Sequence, residues 1–220
     1  MKQIVVDLEL LDPNTKPEII QIGAVCVNTK AHTIVDSFNL ICNPEGKLPD
    51  AFITTLTGIT PAMVAAGTPL KDALTQFWTW LEKCNCGNRL TSWGYGDINL
   101  LIEQSRERAV TVPKLKSFDL KMMFELFRAA RDSKARGGLK ATLETFGLNF
   151  IDRQHDALND AFNTALLLFR AEQMIKLATD LELQFEKPRV RNLDQVSNQF
   201  IQEKEKYKSM DDGPSKTDEK

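Results

Sequence analysis

The run IVVDLELL, Ile4 to Leu11, sets Asp7 and Glu9 inside an otherwise apolar segment of strand length. Side chains alternate across a strand with period two, so both acids point to one face. Burying even a neutral polar group without a partner costs about 2–7 kcal/mol, and a charge costs more. A chain that keeps two acids on one face of a buried strand must put something there that compensates them.

The neighbouring sequence fixes the setting. Residues 2–11 read as a buried strand, PEIIQIGAVCVN (17–28) as a second and HTIVDSFNLIC (32–42) as a third. The short turn TKA between the last two predicts an antiparallel hairpin. NPEGKLPDAF reads as a loop by its Pro and Gly content. TPLKDALTQFWTWLEKC reads as a helix with Thr68 as N-cap, Pro69 at the first helical position and an apolar stripe of Leu70, Leu74, Phe77, Trp78 and Leu81. RLTSW (89–93) is a fourth short strand, with a helix from about Asp97 behind it. Further helices are expected over about Phe118 to Ala130, within GGLKATLETFG up to Gly147, and from near Asp156 to about Ala178. Strands first, then strands and helices mixed, predict an α/β domain with one central mixed sheet.

At 220 residues the chain fits one domain with an appendage. No segment reaches the roughly 18–20 apolar residues of a membrane span, so no membrane partner is expected. The N-terminus enters a strand at once and lacks the features of a secretory signal, which predicts a cytoplasmic protein. Four cysteines, two of them in the C-x-C pair Cys84 and Cys86, provide neither a disulfide framework nor a completed zinc set. Net charge is −2, which disfavours a generic polyanion binder, but 114–140 carries eight basic and three acidic residues. That window is either a solvated face or a contact surface for phosphates. After about Phe185 charges are mixed, large apolar residues are few, and the chain ends DDGPSKTDEK; 185–220 is expected to be a partly helical or disordered tail.

Three further residues bear comparison with Asp7 and Glu9. Asp97 follows SWGYG at a strand end, where α/β proteins build sites, although an acid there also serves as a helix N-cap. Asp160 lies in HDALNDAFNTALLL on a helix whose stripe is Ala157, Ala161, Ala165 and Leu168; an acid within a helix is commonly just solvated. His155 directly precedes that helix and is one of two histidines. Four converging carboxylates repel unless some stay protonated or cations neutralise them. Mg²⁺ takes oxygen ligands, and two such ions about 4 Å apart stabilise both the attacking and the leaving oxygen of a phosphoryl displacement. A nearby imidazole is suited to take a proton from the attacking water.

The ordered set of D-x-E (Asp7, Glu9), a distant Asp (Asp97) and H-x(4)-D (His155, Asp160) resembles the DEDDh 3′→5′ exonucleases, which have a ribonuclease H-like fold. The likeness covers about residues 1–175 and includes PEIIQIGAVCV and LTGIT. DSFNLICNP, SWGYGD and FDLK look most like the RNA-trimming branch related to the histone-mRNA 3′-end enzyme. Leu10 and Leu11 depart from the Thr-Thr or Ala-Thr that many relatives carry after the Glu.

The resemblance implies a five-stranded mixed sheet in an exonuclease domain over 1–180, with strand one beside strand four. It implies two Mg²⁺ ions, replaceable by Mn²⁺: Asp7 bridging both, Glu9 and Asp160 completing one site, and Asp97 supporting the other through water. His155 activates the hydrolytic water and a nucleoside 5′-monophosphate leaves. Leu56 and Ile59 wedge against the terminal bases, Leu10 lies near the terminal sugar, and Lys134, Arg136 and Lys140 reach upstream phosphates. The partner is a single-stranded 3′ end, RNA favoured over DNA. A DNA exonuclease of proofreading or repair type is the alternative, as is a binding module that holds a nucleic-acid end without cutting. The tail offers a surface for a protein partner.

Overall fold

Alternating apolar residues in the first forty positions produce three long antiparallel strands, β1 (Lys2–Leu11), β2 (Glu18–Asn28) and β3 (Thr33–Asn43), in the computed structural model. The structure describes residues 1–12, 16–129 and 137–176; the side chains of 95 and 127–129 are not described. Two short helices follow, α1 (Ala51–Thr57) and α2 (Pro61–Ala65), then β4 (Thr68–Pro69), α3 (Leu70–Lys83), β5 (Arg89–Ser92), α4 (Tyr95–Glu107), β6 (Lys116–Asp119), α5 (Leu120–Ala129) and α6 (Leu139–Thr145). A last helix, α7, is described over 157–176. The chain divides into two compact units, Met1–Glu172 and Gln173–Lys220; the expected tail, 185–220, lies outside the described residues.

The sheet has six strands in the order β4-β3-β2-β1-β5-β6, one more than the five expected. The extra strand is β4. Thr68 and Pro69 pair in parallel with Cys42 and Asn43, so they extend the sheet edge instead of capping and opening the helix, which starts at Leu70. Lys116–Asp119 is a strand, so Phe118 and Asp119 end a strand where the pattern predicts the start of a helix, which begins at Leu120. It pairs in parallel with β5, which itself pairs in parallel with β1. The loop expected from NPEGKLPDAF runs into α1. Asp50 caps that helix by accepting from Ile53 N at 2.8 Å, and Gly58, at φ +75°, closes it by donating to Thr54 O at 2.8 Å.

The period-two pattern of β1 sorts two cores. Ile4, Val6 and Leu8, with Ile22 and Ala24, pack with Leu74, Phe77 and Trp78 of α3 and Ile98 and Leu101 of α4. Val5, with Val25 and Val27, packs with Phe124 of α5, Leu143 of α6 and Ala165 and Leu168 of α7. Asp7 and Glu9 share the parity of Val5, so they point to the α5–α7 side.

Gly23 explains how α7 comes so close. It lies opposite Asp7 in the β1–β2 register, and a Cβ there would overlap the backbone of Ala157 and Leu158. The buried alanines of α7, Ala157, Ala161 and Ala165, complete this close approach. Gly23→Ala is expected to cost about 1–3 kcal/mol by overpacking, read as a fall of roughly 5 °C in the thermal midpoint. Gly46→Ala, with nothing within 4 Å of the added Cβ, is the control. Equal midpoints for the two variants would show that the helix is not seated on Gly23.

Candidate functional site

Gln21 fastens the other side of the same junction. Opposite Glu9 in the register and buried, it accepts from Ala157 N at 3.1 Å and donates to Asp156 Oδ2 at 3.3 Å. Asp156 in turn caps α7, its Oδ1 accepting from Leu158 N and Asn159 N at 3.1 Å each. The start of α7 is thereby held over Asp7 and Glu9, and Asp160, one turn along, faces them.

The loop before α7 is tied to the helix that follows it. Asn163, fully buried, accepts from Ile151 N and donates to Ile151 O, both at 2.9 Å. Asn159 donates to Arg153 O at 3.2 Å. His155 adopts φ +59° and donates its backbone N–H to Asp160 Oδ2 at 3.2 Å. That left-handed turn lifts the imidazole to the exposed rim. The other oxygen of Asp160, Oδ1, is buried without a hydrogen-bond partner among the described residues. Ligand atoms of Glu9, His155 and Asp160 lie within 4.8 Å of one another.

Asp97 arrives from the opposite side of Asp7. Parallel pairing places β5 beside β1, and α4 begins right after β5 with Asp97 in its first turn. Asp7, Glu9, Asp97, His155 and Asp160 all line one cleft of about 810 Å³, with Trp93, Lys121 and Lys140 on its walls. Burial, reinforced by Asp97, Asp160, Glu9 and Asp156, pushes Asp7 well above the usual carboxylate range. Burial, with Asp160, Asp156 and Asp97 adding to it, raises Glu9 to about 8. Burial, Asp119 and Asp160 raise Asp97 to about 7. Asp160 rises less, to about 6: burial lifts it, and the His155 N–H bond and the imidazole pull it down. The shared cause is like charge in a poorly solvated place.

Other expected site residues stand elsewhere. Leu10 is half-buried against the α3–α4 core and Leu56 half-buried on α1; neither lines the cleft. Ile59 is 3% exposed, packed with Leu11, Ile20, Ile53 and Val64, so its side chain is core and not a wedge. The Gly58 turn that ends α1 directs it inward. Lys140 is exposed at the cleft; Lys134 and Arg136 lie outside the described residues.

Four groups escaped the sequence reading. Asp119 and Asp156 add carboxylates to the acid cluster, each as the cap of a helix, Asp119 accepting from Met122 N at 3.1 Å. Trp93 is a cleft wall. Phe52, 68% exposed, shares a helical face with Leu56, four residues on. The signal for Phe52 was an aromatic residue one turn before LTGIT.

The exonuclease (RNase T) family model matches residues 4–168. ERI1 exoribonuclease 2 of Mus musculus is 30% identical over 195 residues, covering 76% of this chain and 28% of that protein, so the chain spans about a quarter of this relative's length. The DNA polymerase III PolC-type protein of Caldanaerobacter subterraneus subsp. tengcongensis is 27% identical over 168 residues, covering 76% of this chain and 11% of its own length. Among solved structures, the nuclease domain of 3′hExo, a DEDDh family member bound to rAMP, superposes with a TM-score of 0.68 at 22% identity, covering 78% of this chain and 92% of that one. At that identity the superposition speaks for the ribonuclease H-like fold.

Proposed function

The chain belongs to the exonuclease (RNase T) family, with the DEDDh residue set, and from that premise we propose that it removes nucleotides singly from single-stranded 3′ ends, RNA in preference to DNA, releasing nucleoside 5′-monophosphates. The observation that carries this reading is the cup itself: Asp7, Glu9, Asp97 and Asp160 with His155 at the rim of one cleft.

The residues fit divalent cations. Carboxylate oxygens are hard donors of the kind Mg²⁺ and Mn²⁺ take. Among the described residues Asp160 Oδ1 has no hydrogen-bond partner, and burial with mutual repulsion raises Glu9, a strain that a bound cation would relieve. Asp7, Glu9, Asp97 and Asp160 would hold the ions. Bound there, a pair of cations stabilises charge on both the entering and the departing oxygen of a phosphoryl displacement.

The chain's own groups do the rest. His155, on the solvent side, takes the proton from the attacking water, and Asp160 holds its backbone in place. Trp93 and Phe52 offer ring faces on which unpaired bases stack without sequence preference. Lys121 and Lys140 neutralise phosphates, which makes binding salt-dependent and independent of sequence. Preference for RNA is supported by the exoribonuclease relative; the PolC-type relative keeps DNA as the second reading.

The test is paired digestion of 5′-labelled RNA and DNA of one sequence, with Mg²⁺, with Mn²⁺ and with a chelator. A ladder that shortens from the 3′ end, faster on RNA and absent with chelator, is expected. Intact oligonucleotide at every metal concentration would remove the enzyme reading and leave an end-binding module. Faster digestion of DNA would reverse the substrate assignment.

A further inference from the structure

Arg153 lies two residues before His155, and its guanidinium reaches back across the fold. Nη2 donates to Thr55 O and Leu56 O, each at 3.2 Å, across 98 and 97 residues of sequence. Nη1 covers Gly58, where an added Cβ would overlap it. The last carbonyls of a helix have no partners within it, and the C-terminal end attracts cations. Arg153 meets both needs at the end of α1. Gly58, at φ +75°, provides the turn and leaves the guanidinium room.

The other end of this tether is rigid. Asn159 holds the carbonyl of Arg153, Asn163 holds both backbone groups of Ile151, and Asp160 holds the N–H of His155. The 151–155 loop thus moves with α7. Among the described residues, Arg153 gives the hydrogen bonds that join this loop to α1.

We propose that Arg153 is a positioning residue: it locks α1, which carries Phe52 and Leu56, to the loop that carries His155, so that the 3′-terminal nucleotide and the group that activates water keep one spacing. A terminal base seated on α1 can be cleaved only if its phosphodiester sits where His155 and the acids converge. Misplacement of about 1 Å costs roughly a hundredfold in rate, and a single fork spanning both elements sets that distance. The positive charge also faces Glu9 and opposes the upward pull on its carboxyl.

The kinetic consequence rests on the exonuclease reading; the structural one does not. The experiment therefore has two arms on the full chain, with Arg153→Ala and Arg153→Lys. In the first, hydrogen exchange is followed without metal or substrate. Amides of Thr54 to Ile59 should exchange at least tenfold faster in Arg153→Ala, with those of α3 unchanged. In the second, kcat on a single-stranded oligonucleotide should fall at least tenfold, with a smaller rise in KM. Mn²⁺ affinity should stay within twofold of the parent. Arg153→Lys should recover part of the loss, since an ammonium can still donate to two carbonyls. A merely stabilising side chain would lower the thermal midpoint and leave kcat in place below it. Unchanged exchange at 54–59 overturns the proposal whatever the kinetics. So does a kcat within twofold of the parent when the parent digests. If the parent does not digest, the exonuclease reading fails and the exchange arm alone decides.

Discussion

Asp7→Asn should stop turnover and, at the same time, make the metal-free protein harder to unfold at pH 8. The two effects have one origin. Asp7 sits at the centre of the acid cup, within electrostatic reach of Glu9, Asp97, Asp156 and Asp160, and burial lifts its carboxyl well above its ordinary range. Asp7 would hold the cations together with Glu9, Asp97 and Asp160, so its loss would remove several kcal/mol of charge stabilisation from the reaction, about a thousandfold or more in rate. For stability the sign follows from proton binding. Each acid of the cup is raised in the folded chain: Glu9 to about 8, Asp97 to about 7, Asp160 to about 6. Between the unfolded values near 4 and those folded values, the native state holds more protons than the unfolded one. Stability therefore falls as pH rises from about 4 to about 8. A tenfold difference in proton affinity between the folded and unfolded chain is worth about 1.4 kcal/mol, and asparagine is uncharged at every pH. A rise in the thermal midpoint at pH 8 is expected, shrinking toward pH 4. Mg²⁺ or Mn²⁺ should raise the parent's midpoint more at pH 8 than at pH 5 and raise the variant's much less. A metal-free parent whose midpoint does not fall between pH 5 and 8 would contradict the crowding of these acids.

What could be read from residues alone follows the range of each signal. Asp7 and Glu9 are legible as a same-face pair because ten residues of β1 keep one period. That Asp97 stands beside Asp7 depends on the parallel pairing of β5 with β1, and a four-residue strand has too little alternation to announce its neighbour. β6 is shorter in signal still: three of its four residues are exposed and it runs straight into α5. α1 was hidden by the Pro and Gly before it, although Asp50 and Gly58 mark its two ends. Ile59 illustrates a limit of motif transfer. LTGIT is matched in sequence, but the turn at Gly58 sends Leu56 and Ile59 in different directions, and only coordinates show which is buried. Gln21 and Gly23 look like ordinary strand residues. Their work, docking the start of α7, depends on contacts more than 130 residues away.

His155→Asn should lower turnover by about a hundredfold to ten-thousandfold, the usual contribution of a positioned proton acceptor, while leaving cation affinity within a few-fold of the parent. Asparagine is the informative replacement because His155 sits at φ +59°, in the left-handed region that asparagine tolerates and most residues avoid. His155→Ala removes the same imidazole but adds backbone strain, so it mixes loss of chemistry with displacement of the loop. Asp160 distinguishes the two. Its Oδ2 is held by the backbone N–H of residue 155, which asparagine keeps in place. Should the imidazole serve mainly as a ligand, as its closeness to Glu9 and Asp160 allows, the asparagine variant would lose Mn²⁺ affinity tenfold or more and excess metal would restore the rate. Should it act as the base, saturating metal would restore nothing, and added imidazole, small enough to enter a cleft of about 810 Å³ from its open rim, would return part of the lost turnover. A variant that digests RNA at the parent's rate under subsaturating metal would remove His155 from both roles and leave water activation to the carboxylates.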